Sequence, residues 1–283
     1  MAQRFRGTAL LLLVAACAAA GAAAGAVPSA AGAGSAGAVP AAPDLRTAAV
    51  VDLTHPFDDK TLYWPTSLSA FRLERLAYGP TPGGFFYSSN ALCTPEHGGT
   101  HLDAPIHFGA GQRTADEIPV RQLVAPAVVI DVSAQAAADP DYRLTAADLL
   151  AWEARYGAVP QGAAVLLRTG WSARWPDRKR YFGDDTPGSA ANLHFPSYGA
   201  EAATLLVVER KAGLLGVDTA SIDYGPSTDF PVHRLAAAAN VPGLENLTRL
   251  DELPATGAWI VALPMKIAGG SGGPVRAIAL LAR

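Results

Sequence analysis

One stretch constrains this chain more than any other: Glu96-His97-Gly98-Gly99-Thr100-His101-Leu102-Asp103-Ala104-Pro105-Ile106-His107-Phe108. It holds three of the six histidines and one carboxylate, in the spacing His-x3-His-x-Asp-x3-His. Imidazoles with a carboxylate and no thiolate form a donor set for a borderline divalent ion such as zinc or manganese. Gly98 and Gly99 disfavour a regular helix here, each costing roughly 1 kcal/mol relative to alanine. They permit instead a tight turn that brings His97 and His101 toward one point. His101 and Asp103, two apart, share a face in an extended segment. Pro105 biases Ala104 away from helix and keeps the chain extended before His107. Such a segment needs a rigid scaffold, and the remaining sequence is read for one.

Half of the 283 residues are hydrophobic, enough for one large core or two small ones. The first 43 residues stand outside that core. Arg4 and Arg6 precede an apolar run over residues 9–16 that is too short to span a bilayer, the pattern of a signal peptide. Export is therefore expected. Val14-Ala15-Ala16-Cys17 resembles a lipobox, which would put a lipid anchor on Cys17; a plain secretory cut near Ala22-Ala23-Ala24 is the alternative. Residues 18–43 are uncharged and almost all Ala, Gly, Pro, Val and Ser, a flexible tether. The division is thus 1–17 signal peptide, 18–43 tether and 44–283 folded domain.

The chain carries 22 basic and 25 acidic residues, a net charge of −3, with no run of like charge. No nucleic-acid partner is expected on that balance, and contact with a membrane is expected only through Cys17. Cys93 is the only other cysteine, so the domain has no disulfide. At the end of an apolar run it reads as a small core residue.

Strand patterns fall at 48–53, 71–78, 85–93, 127–132, 164–168, 214–218, 258–263 and 275–281. The candidate ligands follow the third of these, where strand gives way to loop. Thr145-Ala146-Ala147-Asp148 is a capping signal for a helix to about Tyr156, with Gly157 past its end. A second helix spans about 200–211, and Pro231 opens a third with His233 in its first turn. Strands alternating irregularly with about three helices indicate one α/β domain with a mixed sheet. Residues 172–195 are polar, aromatic and punctuated by Pro and Gly, a long loop that covers something. Gly269-Gly270-Ser271-Gly272-Gly273 has no helix after it and reads as a hairpin loop rather than a phosphate cradle. His55, beside Pro56, is either a pocket-rim residue or structural.

His-Gly-Gly-Thr-His-Leu-Asp-Ala-Pro-Ile-His-Phe at 97–108 resembles the signature of the metal-dependent cyclase family, which includes bacterial kynurenine formamidase and isatin hydrolase. Further pieces follow in order: Trp64-Pro65, Leu167-Arg168-Thr169-Gly170-Trp171, Gly216-Val217-Asp218-Thr219, and His233 with Glu245. The resemblance covers about 48–282. It implies a single α/β domain with a mixed-sheet or barrel-like core, and a homodimer or larger homo-oligomer. It also implies that His97, His101 and Asp103 bind a first zinc or manganese ion, that Asp103 bridges to a second held with His233 and Glu245, and that His107 moves protons. Trp64 would line the substrate pocket. Some relatives are thought to use one ion, so one or two remain open.

The chemistry expected is hydrolysis of a small, aromatic amide or cyclic amide by metal-activated water, with Trp64, Phe85, Phe86, Tyr87 and Trp171 as candidate aromatic contacts. A non-catalytic exported metal- or ligand-binding protein, and a cyclase or dehydratase, are the alternatives.

Overall fold

A computed structural model describes residues 41–282. The expected signal peptide, the anchor at Cys17 and the tether as far as residue 40 lie outside the described residues. In chain order the strands are β1 (Ala49–Asp52), β2 (Arg72–Pro80), β3 (Phe86–Cys93), β4 (His101–Asp103), β5 (Val124–Asp131), β6 (Arg143–Leu144), β7 (Ala164–Arg168), β8 (Ser197–Tyr198), β9 (Leu214–Val217), β10 (Gly243–Glu245), β11 (Ala258–Pro264) and β12 (Gly272–Leu281). The α-helices are α1 (Val120–Leu123), α2 (Ser133–Ala138), α3 (Ala146–Tyr156), α4 (Arg178–Phe182), α5 (Ala200–Thr204) and α6 (Pro231–Ala238).

Seven strands close into a barrel in the order β12-β11-β5-β7-β9-β10-β4, with β4 returning to β12 and β1 added outside on β12. β5, β7, β9 and β10 run parallel, and the remaining neighbours pair antiparallel. The alternation of side chains separates two apolar layers. Ala127, Val129, Ala164, Leu166, Leu102, Leu244, Ile260 and Ala277 fall in one buried cluster inside the barrel. Val128, Ile130, Val165, Leu167 and Val217 turn the other way, against Leu149 and Trp152 of α3, Ala203 of α5 and Ala236 of α6. Strands buried on both faces explain why these segments are continuous apolar runs in the sequence.

The barrel is borne out, and the described residues hold six α-helices where about three were expected. α1, α2 and α4 are only four to six residues long, too short to show helical periodicity. α3 has the predicted reciprocal Thr145–Asp148 cap and ends at Gly157. The second expected helix is α for only Ala200–Thr204 and continues as a π-helical stretch over Leu205–Glu209.

β2 and β3 pair only with each other, as a hairpin outside the barrel. Cys93, at its end, is exposed and not the core residue expected, because both faces of this ribbon meet solvent. The 172–195 segment does cover something. Tyr181, Phe182, Leu193 and Phe195 pack with Leu62, Trp171 and Ala220 into a third apolar cluster beside the ligand-bearing strand.

Candidate metal centre

The ligand segment runs from the irregular stretch after β3, which carries His97, into a short barrel strand, β4, which carries His101 and Asp103. In β4, Leu102 points into the core opposite Leu244 of β10, so its neighbours His101 and Asp103 face the other way. His101 lies in register with Glu245 of β10, which shares that face. The Gly98-Gly99 turn before it passes under two aromatic rings. A Cβ on Gly98 would meet the Tyr63 ring at 2.1 Å, and one on Gly99, at φ +59°, would meet Phe57 at 2.5 Å. After β4 the chain does not stay extended. Pro105 starts a 3-10 turn over Pro105–His107, and the His107 N–H donates to the Ala104 carbonyl at 2.9 Å. Proline's fixed φ suits the first position of a helical turn, and the turn swings His107 back over Asp103.

The six residues expected to form the centre meet at one place. Asp103 Oδ1 lies 2.6 Å from His97 Nδ1 and 3.2 Å from His101 Nε2. Its Oδ2 lies 3.2 Å from His233 Nε2 and 4.0 Å from His107 Nε2. Glu245 divides in the same way, with Oε2 3.6 Å from His101 Nε2 and Oε1 3.2 Å from His233 Nε2. Each carboxylate thus offers one oxygen to the His101 side and one to the His233 side. The His97 and His107 rings stack at 3.8 Å.

His233 comes from the first turn of α6, whose start is fixed by Asp223, a residue the sequence reading missed. Asp223 accepts from the Val232 and His233 backbone N–H groups, at 3.0 Å each, and lies 2.7 Å from His233 Nδ1. It therefore caps the helix and turns Nε2 toward Asp103 and Glu245. His101 is oriented in a similar way, its Nδ1 3.0 Å from the Gly99 carbonyl. Nothing local in Asp223-Tyr224-Gly225 announces that role, since the pairing spans ten residues of irregular chain.

Electrostatics set the charge states. Burial would raise Asp103, but the facing His97 and the hydrogen bonds from His101 and His233 hold it well below the usual carboxylate range. Burial would lower His233, and its contacts with Asp103, Asp223 and Glu245 outweigh that and raise it well above the ordinary value. His107 has no comparable contact, and burial pushes it down to about 4. Two buried carboxylates face imidazoles, Glu245 Oε1 also accepting the Ile222 N–H at 2.9 Å, and no lysine or arginine lines the cavity. Such a donor set fits a divalent ion, and His97, Asp103 and His107, like His101, Asp103 and Glu245, cluster closely enough to hold one.

The centre forms the floor of a cavity of about 250 Å³ whose walls include Trp64, Phe108, Phe182 and Phe230. Trp64 is where it was expected. Its ring meets Phe195 and Phe230 edge-on at 6.4 Å. The other aromatic expectations fail: Phe85, Phe86 and Tyr87 are exposed on or beside the hairpin, and Trp171 is buried under the 172–195 segment. His55 does not line this cavity; its ring stacks on Trp175 at 4.3 Å. The motif pieces at 167–171 and 216–219 serve as structure. Asp218 accepts from Thr169 N and Oγ1 and from Gly170 N, tying two barrel strands together.

A family described as a putative cyclase matches residues 51–224. The chain belongs to the cyclase family. An isatin hydrolase from Roseibium aggregatum is 38% identical over 206 residues, 70% of this chain and 76% of that protein. A kynurenine formamidase from Salinibacter ruber is 27% identical over 232 residues, 81% of this chain and 96% of that protein. Among solved structures, isatin hydrolase A from Ralstonia solanacearum superposes with a TM-score of 0.75 at 38% identity, covering 83% of this chain and 92% of that one. With the donor cluster, this makes the chain a metal-dependent amide hydrolase.

Proposed function

We propose that this cyclase-family protein is an exported hydrolase that opens the C–N bond of a small aromatic amide, with a cyclic amide of the isatin type as the preferred class. The observation that carries this reading is the His107 ring, stacked on His97 at 3.8 Å and 4.0 Å from Asp103 Oδ2, facing the Asp103-centred cluster in an aromatic-walled cavity. Likeness to isatin hydrolases supports the cyclic class.

His97, His101 and Asp103 would hold a first zinc or manganese ion, with His233 and Glu245 completing a second site. The divided geometry of Asp103 and Glu245, one oxygen to each side, supports two ions. A bound divalent ion supplies Lewis acidity and lowers the pKa of water to roughly 7. His107, neutral at pH 7, accepts the proton of the attacking water and delivers it to the departing nitrogen. Trp64, Phe108 and Phe230 hold a flat substrate over the cluster, and Phe182 helps exclude bulk water. The leader pattern around Arg4, Arg6 and Cys17 supports export with a lipid anchor, and the bare apolar hairpin supports a homodimer or larger assembly.

The test is hydrolysis of isatin, formanilides and lactones by the domain 44–283, stripped of metal and reloaded with zinc or manganese, with products weighed by mass spectrometry. Gain of one water that disappears on chelation and returns on reloading is expected. Turnover unaffected by chelator, or a product that has lost water, overturns the reading.

A further inference from the structure

The run Gly269-Gly270-Ser271-Gly272-Gly273 leads from β11 into β12, whose first two residues pair with Asp103 and Leu102 of β4, and its serine reaches the metal centre. Ser271 Oγ lies 2.8 Å from His97 Nε2 and 2.5 Å from Glu96 Oε2. The Ser271 N–H donates to the same Glu96 oxygen at 3.0 Å. An ionised carboxylate only accepts, so the Ser271 hydroxyl directs its single hydrogen to Glu96 and has only lone pairs left for His97. His97 therefore presents Nε2–H to Ser271. Its Nδ1, 2.6 Å from Asp103 Oδ1, is left as the nitrogen available to an ion.

The flanking glycines make this approach possible. A Cβ on Gly270 would stand 2.8 Å from Glu96 Oε1. One on Gly272 would stand 2.7 Å from His97 Cε1 and 2.6 Å from the Leu102 carbonyl oxygen. The glycines are thus clearance for a carboxylate and an imidazole.

We propose that Glu96 and Ser271 are positioning residues that lock His97 in the Nε2–H tautomer with Nδ1 toward the cluster, and so set the metal affinity of the site. This assignment rests on the metal-dependent reading above. His101 and His233 have their outer nitrogens tied to the Gly99 carbonyl and to Asp223, and the Glu96–Ser271 pair gives His97 the equivalent tie from a different part of the chain. Partners of this kind are worth roughly 10- to 100-fold in metal affinity.

The experiment uses the full chain stripped of metal, with zinc or manganese alone as the probe in competition with a chromogenic chelator. Ser271→Ala and Glu96→Ala are expected to weaken binding about 10- to 100-fold, whereas Glu96→Gln, which keeps an acceptor oxygen, stays near the parent. Melting temperatures of the stripped proteins are expected to match. Nitrogen-15 NMR of the zinc-loaded parent should show His97 protonated at Nε2 with Nδ1 on the metal, whereas in the stripped protein the 2.6 Å contact with Asp103 places a proton on Nδ1 as well. Parent-like affinity in Ser271→Ala, or a Glu96→Gln as weak as Glu96→Ala, overturns the relay alone. A zinc-loaded parent in which His97 keeps its proton on Nδ1 does so without any variant. A parent that takes up no ion overturns the relay and the hydrolase reading together.

Discussion

His107 sits 4.0 Å from Asp103 Oδ2 and stacks on His97 at 3.8 Å, and a single substitution distinguishes a proton carrier from a ligand at this position. His107→Ala is expected to lower kcat by roughly 10²- to 10⁴-fold with metal content unchanged, read by single-turnover kinetics beside elemental analysis. A parallel loss of bound metal would make it a ligand instead. Asp223→Ala removes a helix cap worth about 1 kcal/mol and frees the His233 ring, so both melting temperature and metal affinity should fall. His55 gives a prediction independent of metal. Its Nε2 is buried without a hydrogen-bond partner, and burial lowers its pKa from 6.5 to about 4. The unfolded chain therefore takes up this proton first, so its contribution is complete above about pH 6.5 and is lost as pH falls toward 4. Chemical denaturation across that window should show a steeper loss in the parent than in His55→Gln.

Among the elements, the sequence was most legible where local chemistry alone decides the outcome. α3 is announced by Thr145 and Asp148, whose side chains bond each other's backbone N–H at 3.1 and 2.9 Å, and by Gly157 beyond its end. Thr145→Ala should cost about 1 kcal/mol, measured by thermal melting. Of the parallel barrel strands, β5, β7 and β9 were legible as apolar runs, since burial on both faces removes any polar alternation, while the three-residue β10 was not. β4 was not, because three residues with two ligands among them carry no strand pattern; it is a strand because β10 and β12 pair with it on either side. The 172–195 segment was seen to cover something, yet what it covers follows from contacts such as Tyr181 Oη donating to Asn246 Oδ1 at 2.8 Å, across 65 residues. Of the centre, the His-x3-His-x-Asp-x3-His run was readable from spacing alone, and His233 and Glu245 only through family resemblance. Asp223, Glu96 and Ser271 have no local pattern and depend on how distant strands close.

On the scale of the whole molecule, the barrel closes on itself while the β2–β3 hairpin stands free. Register puts Leu73 opposite Leu92, and Tyr78 and Phe86 on the same face, with the last two rings edge-on at 5.1 Å. These four side chains are 55 to 65% exposed, an apolar stripe on a two-stranded ribbon that is marginal in water without cover. Self-association through this face is expected in light scattering, and Tyr78→Lys with Phe86→Lys should shift the protein to monomer. A monomeric parent would remove the assembly from the reading above. Barrel closure carries one more implication. Leu102 fills the interior while its two flanking residues build the hydrolytic centre, so odd and even positions of one short strand answer to different masters. Slipping β4 by a single residue would drive an imidazole or a carboxylate into the hydrocarbon interior and strand a leucine among the donors. Foldability and chemistry therefore share one parity, and any attempt to transplant this centre into another barrel has to keep it.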